Sequence, residues 1–246
     1  FKEVALGYDE ATAMAEAGRC LQCKKPGCVT GCPVGVPIRD FIGALREGNV
    51  AEAYRLIKTA NALPAVCGRV CPQEKQCQSE CTRSIRTQAV GIGRLERFAV
   101  EMHYASGKEE TVAPDTGKTV AVIGSGPSGL SAAVTLRKLG HKVVVMEAQE
   151  YPGGLLRYGI PGMKLPKDIL DRKIDAMTRM GVAFMTGITP SAQVLKDYDA
   201  VVLAVGTGNA RMLKLSGAEH AQGIHKAVDY LSGEGTAEGK DVVIIG

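Results

Sequence analysis

Thr119-Val120-Ala121-Val122-Ile123-Gly124-Ser125-Gly126-Pro127-Ser128-Gly129 decides the architecture of the second half of this chain. Five apolar or β-branched residues read as a buried strand, the glycines break it at once, and Ser128 to Leu139 carries a helical pattern. Lys142 to Met146 is a second strand, which completes the β–α–β order of a parallel, doubly wound sheet. Each glycine of the turn has a mechanical role. Gly124 permits the tight bend, Gly126 lets a pyrophosphate approach the backbone at the helix N-terminus, and Gly129 allows the helix to sit close to the strand. Ser125, Pro127 and Ser128 fill the turn between them. Glu147 closes the second strand, where a carboxylate accepts hydrogen bonds from ribose hydroxyls and repels a 2′-phosphate. The pattern predicts a site for FAD or NAD in preference to NADP; the plainer alternative is a glycine-rich turn that binds nothing.

Further along, Gly153-Gly154 opens the run Gly-Gly-Leu155-Leu156-Arg157-Tyr158-Gly159-Ile160-Pro161. Paired glycines leave backbone amides free to face phosphate or ribose, although a surface loop reads the same way. Asp168 to Met180 is predicted as a helix, Val182 to Met185 as a strand, Asp199 to Val205 as a core strand and Ala227 to Leu231 as a helix. Asp241 to Gly246 reads as another apolar strand, ending on glycine where a helix ought to follow. That ending, together with Phe1 at the start, gives the expectation of a fragment.

Seven of the eight cysteines fall into two groups in the first half, and residues 82 to 246 contain none. The first is Cys20-x2-Cys23-x4-Cys28-x3-Cys32-Pro33. The second is Cys71-Pro72 with Cys77 and Cys81, and Cys67 lies just upstream. Spacings of two to four residues let tight turns aim several thiolates at one metal centre, and a proline after the last cysteine recurs in ferredoxin-type ligation. A tetrathiolate zinc site fits the spacing as well. A disulfide scaffold fits less well, because 246 residues can bury a core without staples and no secretory signal precedes the cysteines. Around the cysteine loops the sequence is helical. Ile38, Phe41, Ile42 and Leu45 make an amphipathic face after Pro37, Val50 to Ala60 makes a second helix, and Ile92 to Tyr104 makes a third. The polar, turn-rich stretch from Gly107 to Lys118 is where the two halves are divided.

Composition narrows the partners. The chain is 45% hydrophobic and 23% charged, with only 4% aromatics and a net charge of +4 whose basic residues are interspersed with acids. That is weak ground for a nucleic-acid partner. No apolar run approaches the ~20 residues that span a bilayer, so a soluble, cytoplasmic protein is expected. His103, His141, His220 and His225 share no ligand or triad spacing and read as ordinary structural or surface residues.

The ordered set Cys20-x2-Cys23-x4-Cys28-x3-Cys32-Pro33, Cys67-Gly68-Arg69-Val70-Cys71-Pro72, Ile92-Gly93-Arg94-Leu95-Glu96-Arg97-Phe98 and Gly-Gly-Leu-Leu-Arg-Tyr-Gly-Ile-Pro resembles the NADPH-dependent glutamate synthase small (beta) subunit family. That family includes the large subunit of bifurcating ferredoxin:NADP transhydrogenase and the N-terminal part of dihydropyrimidine dehydrogenase. The resemblance implies an α plus α/β protein. A helical domain over 1–110 would hold two [4Fe-4S] clusters, and a linker over 111–118 would lead to a doubly wound, Rossmann-like FAD domain over 119–240. Residues 241–246 would open a truncated NADPH domain, leaving the FAD domain incomplete at its C-terminus. It implies one cluster on Cys20, Cys23, Cys28 and Cys81, and another on Cys32, Cys71, Cys77 and an oxygen ligand, Glu96, with Cys67 left over. For FAD it points to Gly124, Gly126, Gly129, Glu147, Gly154, Leu155 and Lys164. Electrons would pass from NADPH through FAD and the clusters to a glutamate synthase large subunit or another electron-acceptor subunit. Between Gly187 and Tyr198 the chain is several residues shorter than the family pattern. The rival from a different class is a zinc-stabilised binding module on an inert Rossmann scaffold.

Overall fold

Asp9 opens the first helix. In the computed structural model, which describes residues 2–107, 110–207, 216–217, 223–233 and 241–245, its carboxylate accepts the Thr12 N–H at 2.8 Å and caps α1 (Glu10–Gly18). The first cysteine loop follows, interrupted by the single turn α2 (Gly27–Thr30). α3 (Ile38–Arg46) buries Ile38, Phe41, Ile42 and Leu45, the face read from the sequence. Asn49 caps α4 (Val50–Lys58) by accepting the Glu52 N–H at 3.0 Å. α5 (Pro64–Val70) starts with proline, whose missing N–H would have been unpaired there in any case. α6 (Ile92–Ala105) then packs against both α4 and α5.

The second half runs β1 (Thr119–Ile123), α7 (Pro127–Lys138), β2 (Lys142–Met146), α8 (Leu155–Tyr158), α9 (Lys167–Arg179), β3 (Val182–Met185), β4 (Ala200–Leu203) and α10 (Ala227–Leu231). The strands form one parallel sheet in the order β3-β2-β1-β4, with Val122 beside Val145 on one side and Val202 on the other. The order reverses between β1 and β4. In doubly wound sheets the crevice beyond the carboxyl ends of such strands is where ligands bind.

Two readings need correction. The predicted core strand Asp199–Val205 is a shorter edge strand, with Val201 37% and Leu203 74% exposed, because β4 has β1 on one side and no further strand on the other among the described residues. The predicted strand Asp241–Gly246 does not pair over residues 241–245, where Val243 and Ile244 are exposed, and Gly246 lies outside the described residues. β-branched composition supplies propensity, whereas a strand needs a neighbour.

Two hydrophobic cores result. One lies within the helices, around Phe41, Ile42, Leu45, Ile57, Leu95 and Phe98, with Cys20, Cys28, Cys32 and Cys81 packed on its margin. The other joins the halves: Tyr54, Leu63, Ala65, Val66 and Val100 share it with Val122, Leu130, Val145, Leu170 and Met177. Glu110 ties the same junction by charge. It meets Lys58 of α4 at 3.1 Å, Lys138 of α7 at 2.5 Å and Lys173 of α9 at 3.5 Å.

Candidate cofactor sites

The glycine turn closes as its sequence requires. Gly124 has φ +98°, and a Cβ there would lie 2.4 Å from the Ala204 carbonyl oxygen beyond β4. A Cβ on Gly129 would lie 1.9 Å from the Gly124 oxygen, so only glycine lets α7 sit this close to β1. Gly126 differs, because a Cβ there would meet nothing within 4 Å. Its backbone faces open space at the first turn of α7, where a phosphate would meet unpaired N–H groups. Gly154, at φ +51°, lays its backbone on this turn, since an added Cβ would fall 2.8 Å from Gly126 Cα. Leu155, half-exposed, then starts α8. Lys164 follows in the turn closed by its own N–H to Pro161 O at 2.9 Å. Pro127 and Ser128 form the exposed first turn of α7. These features fit a dinucleotide lying along the crevice.

Glu147 is buried and already engaged. Its Oε2 accepts the Ser125 N–H at 2.9 Å and the Ser125 hydroxyl, and its Oε1 accepts the Gln149 N–H at 2.9 Å. Ser125 Oγ in turn accepts the Gly153 N–H at 2.9 Å. A carboxylate has about four lone-pair sites, and three are taken by the chain itself. Ser125, fully buried, therefore locks three segments together: the turn, the end of β2 and the paired-glycine loop. The sequence placed Ser125 in the turn but did not show this function, which depends on a contact between residues 22 apart.

The first of the two cysteine sets implied by the resemblance lines a common cleft. Cys20, Cys23, Cys28 and Cys81 line one cleft of about 400 Å³ of empty space, open solvent included, walled by Ile38, Ile42, Val90 and Ile92. Burial, and then the neighbouring Cys81, Cys20 and Cys23, push the Cys28 thiol up to about 11. In the second set, burial followed by Cys32, Glu96 and Cys28 pushes Cys77 up to about 12. Glu96 is 8% exposed, and burial and then Cys67 raise it to about 8, against an opposing hydrogen bond from Asn61. The Cys67 sulfhydryl lowers Cys71, which also feels Glu96, Cys77 and Cys32. Anionic ligands crowded out of water repel one another unless a cationic centre shares them. Among the described residues no group of three His, Cys, Asp or Glu converges as a single ion demands. A tetrathiolate zinc ion would hold every sulfur ~2.3 Å from one point, whereas a four-iron cubane would spread its ligands over four metals, and the sets implied by the resemblance offer one thiol or carboxyl for each iron of two cubanes.

α5 leads directly into Cys71 and packs on α6 and on α9 of the sheet half. Cys28 adds to the upward shift of Cys77. Two of the histidines have partners outside both sets. His103 stacks on Tyr54 with ring centres 3.6 Å apart, His141 Nδ1 meets Thr116 Oγ1 at 2.7 Å, and His220 lies outside the described residues. No helix among the described residues is long and apolar enough to cross a membrane.

Comparison with known proteins matches each half of the chain to a separate family. Residues 1–108 match the family described as dihydropyrimidine dehydrogenase domain II, 4Fe-4S cluster, and residues 118–246 match pyridine nucleotide-disulphide oxidoreductase. The glutamate synthase [NADPH] small chain of Halomonas elongata is 40% identical over 238 residues, covering 94% of this chain and 50% of the relative. The NAD-dependent dihydropyrimidine dehydrogenase subunit PreT of Salmonella typhimurium is 38% identical over 244 residues, covering 96% and 58%. This chain thus spans about half the length of the curated relatives it matches. Among solved structures, Mycobacterium tuberculosis FprA in complex with NADPH is 28% identical over 49% of this chain and 28% of that one, with a TM-score of 0.39.

Proposed function

The chain belongs to the pyridine nucleotide-disulphide oxidoreductase family, and from that membership we propose that it is the flavin- and cluster-bearing part of an electron-transfer subunit of glutamate synthase type. The observation that supports this reading is that one chain carries both a glycine turn shaped to receive a dinucleotide and a cleft lined by four cysteines.

Bound FAD would exchange electron pairs with NADPH, and two [4Fe-4S] clusters would carry single electrons. The residues of this chain provide the rest. Gly126 and the first turn of α7 receive the pyrophosphate, and Glu147 offers its remaining lone pair to a ribose hydroxyl while opposing a 2′-phosphate. Gly154 and Leu155 close over the turn, and Lys164 follows as a flavin-side cation. Cys32, Cys71, Cys77 and Glu96 would hold one cluster, and Cys20, Cys23, Cys28 and Cys81 would hold the other. Ile38, Ile42, Val90 and Ile92 beside the first set would limit the access of water to its sulfurs.

A glutamate synthase large subunit is the first-choice partner, because glutamate synthase small chains recur among the similar relatives. A dihydropyrimidine dehydrogenase partner is the second reading, supported by the match to PreT. An anaerobic reductive titration followed by EPR tests the arrangement. Two signals are expected, one removed by Cys20→Ser and the other by Cys71→Ser; both substitutions removing the same signal would overturn it.

A further inference from the structure

Asn61, between α4 and α5, belongs to none of the sequence motifs, yet it is one of the few buried polar residues of the chain at 6% exposure. Its side chain makes three contacts. Nδ2 donates to Glu96 Oε1 at 2.8 Å, Oδ1 accepts the Leu63 N–H at 2.9 Å, and the Cys67 sulfhydryl points to the same oxygen at 3.6 Å. The orientation of the amide is fixed by chemistry. A backbone N–H can only donate, so the atom facing Leu63 must be the oxygen, and the amide nitrogen must face the carboxylate.

We propose that Asn61 is a positioning residue for the second cluster, holding Glu96 by Oε1 so that Oε2 is the one oxygen left to ligate iron. The same amide oxygen and Cys71 both lie within reach of the Cys67 sulfhydryl. A hydrogen bond to an anionic ligand withdraws electron density from it and eases reduction of the metal behind it. Asn61 therefore raises the midpoint potential of that cluster alone. This inference rests on the reading of Glu96 as a ligand.

The test uses the whole chain with its clusters, prepared anaerobically and titrated with EPR detection and iron analysis. Asn61→Asp keeps an oxygen for Leu63 and Cys67 but replaces the donor toward Glu96 by an oxygen and adds a charge, so Asn61→Ala, which removes the donor without adding charge, is measured beside it and must shift the midpoint in the same direction. The midpoint of one cluster is expected to fall and its EPR line shape to change, with the other cluster unmoved. An unmoved or raised midpoint overturns the inference. Glu96→Ala separates the two failures: if it alters one cluster while N61D alters none, the ligand reading stands and the Asn61 role falls. If E96A leaves both signals intact, the ligand reading falls and takes this inference with it. Should N61D shed iron, the exchange N61D/E96Q restores the bond with its polarity reversed. Recovery of iron in that double variant supports the role, and no recovery overturns it.

Discussion

Glu110→Gln is expected to loosen the joint between the two halves. Glu110 is the acidic member of a cluster with three lysines from three helices, Lys58 on α4, Lys138 on α7 and Lys173 on α9, and the Tyr54 hydroxyl donates to it at 3.1 Å. The Lys58 and Lys173 side chains are only 6% and 2% exposed, so removing the carboxylate leaves two buried ammonium groups facing each other. Breaking a buried pair from one side costs about 3–5 kcal/mol, a drop of roughly 6–20 °C in the unfolding midpoint of a domain this size. The pH dependence gives a sharper check. Burial, then Lys173, presses Lys58 from 10.5 down to about 7, although Glu110 opposes the shift. Burial alone would raise Glu110, but Lys58, Lys173 and Lys138 hold it below the usual carboxylate range. A carboxylate with a depressed pKa contributes stability that is present above its unfolded value of 4.5 and lost as pH falls. Without Glu110, Lys58 releases its proton at still lower pH, so the folded variant binds fewer protons than the folded parent just below 7. The stability deficit of E110Q should therefore be greatest at mildly acidic pH above 4.5 and shrink as pH rises through about 7. Urea melts of both proteins at several pH values measure it. A deficit below ~1 kcal/mol throughout, or one that widens toward pH 8, would refute the reasoning.

The remaining predictions concern the cofactor sites. Cys67→Ser should leave the iron content unchanged while Cys71→Ser removes one cluster, because the family resemblance leaves Cys67 outside both ligand sets; equal losses on iron analysis would show that the ligand sets are misassigned. Glu147→Ala should weaken FAD binding roughly 10- to 100-fold, from the ~1.5–3 kcal/mol typical of a hydrogen bond to a charged group. It also frees the Ser125 and Gln149 N–H groups, and a flavin titration with an unchanged dissociation constant would count against the site. Gly154→Ala forces a side chain onto a backbone at φ +51° with its Cβ 2.8 Å from Gly126 Cα. It should cut FAD binding and spare the clusters, as absorbance and iron assays on one preparation would show.

The parts legible in the sequence are those whose signal is contiguous. The run from Thr119 to Leu130 carries strand, turn and helix in neighbouring residues, and the apolar face of α3 repeats at helical spacing. The cysteine spacing showed that metal was to be expected, but the division into two sets came from family resemblance, since Cys81 reaches the first loop only through tertiary folding. Residues whose work is done across long separations left no local trace. Ser125 meets Glu147, Asn61 meets Glu96 at a separation of 35, and Glu110 meets Lys173 at a separation of 63. The misreading of Asp199–Val205 as a core strand has the same origin, because an apolar run looks alike at the centre and at the edge of a sheet.

Metal and acid-labile sulfide analysis of the anaerobically prepared chain tests the central claim most directly. Seven cysteines and Glu96 divided between two cubanes give about eight iron atoms and about eight sulfides per chain, with no zinc. Stoichiometric zinc without labile sulfide would contradict the reading and leave the rival of a zinc-stabilised module on an inert scaffold.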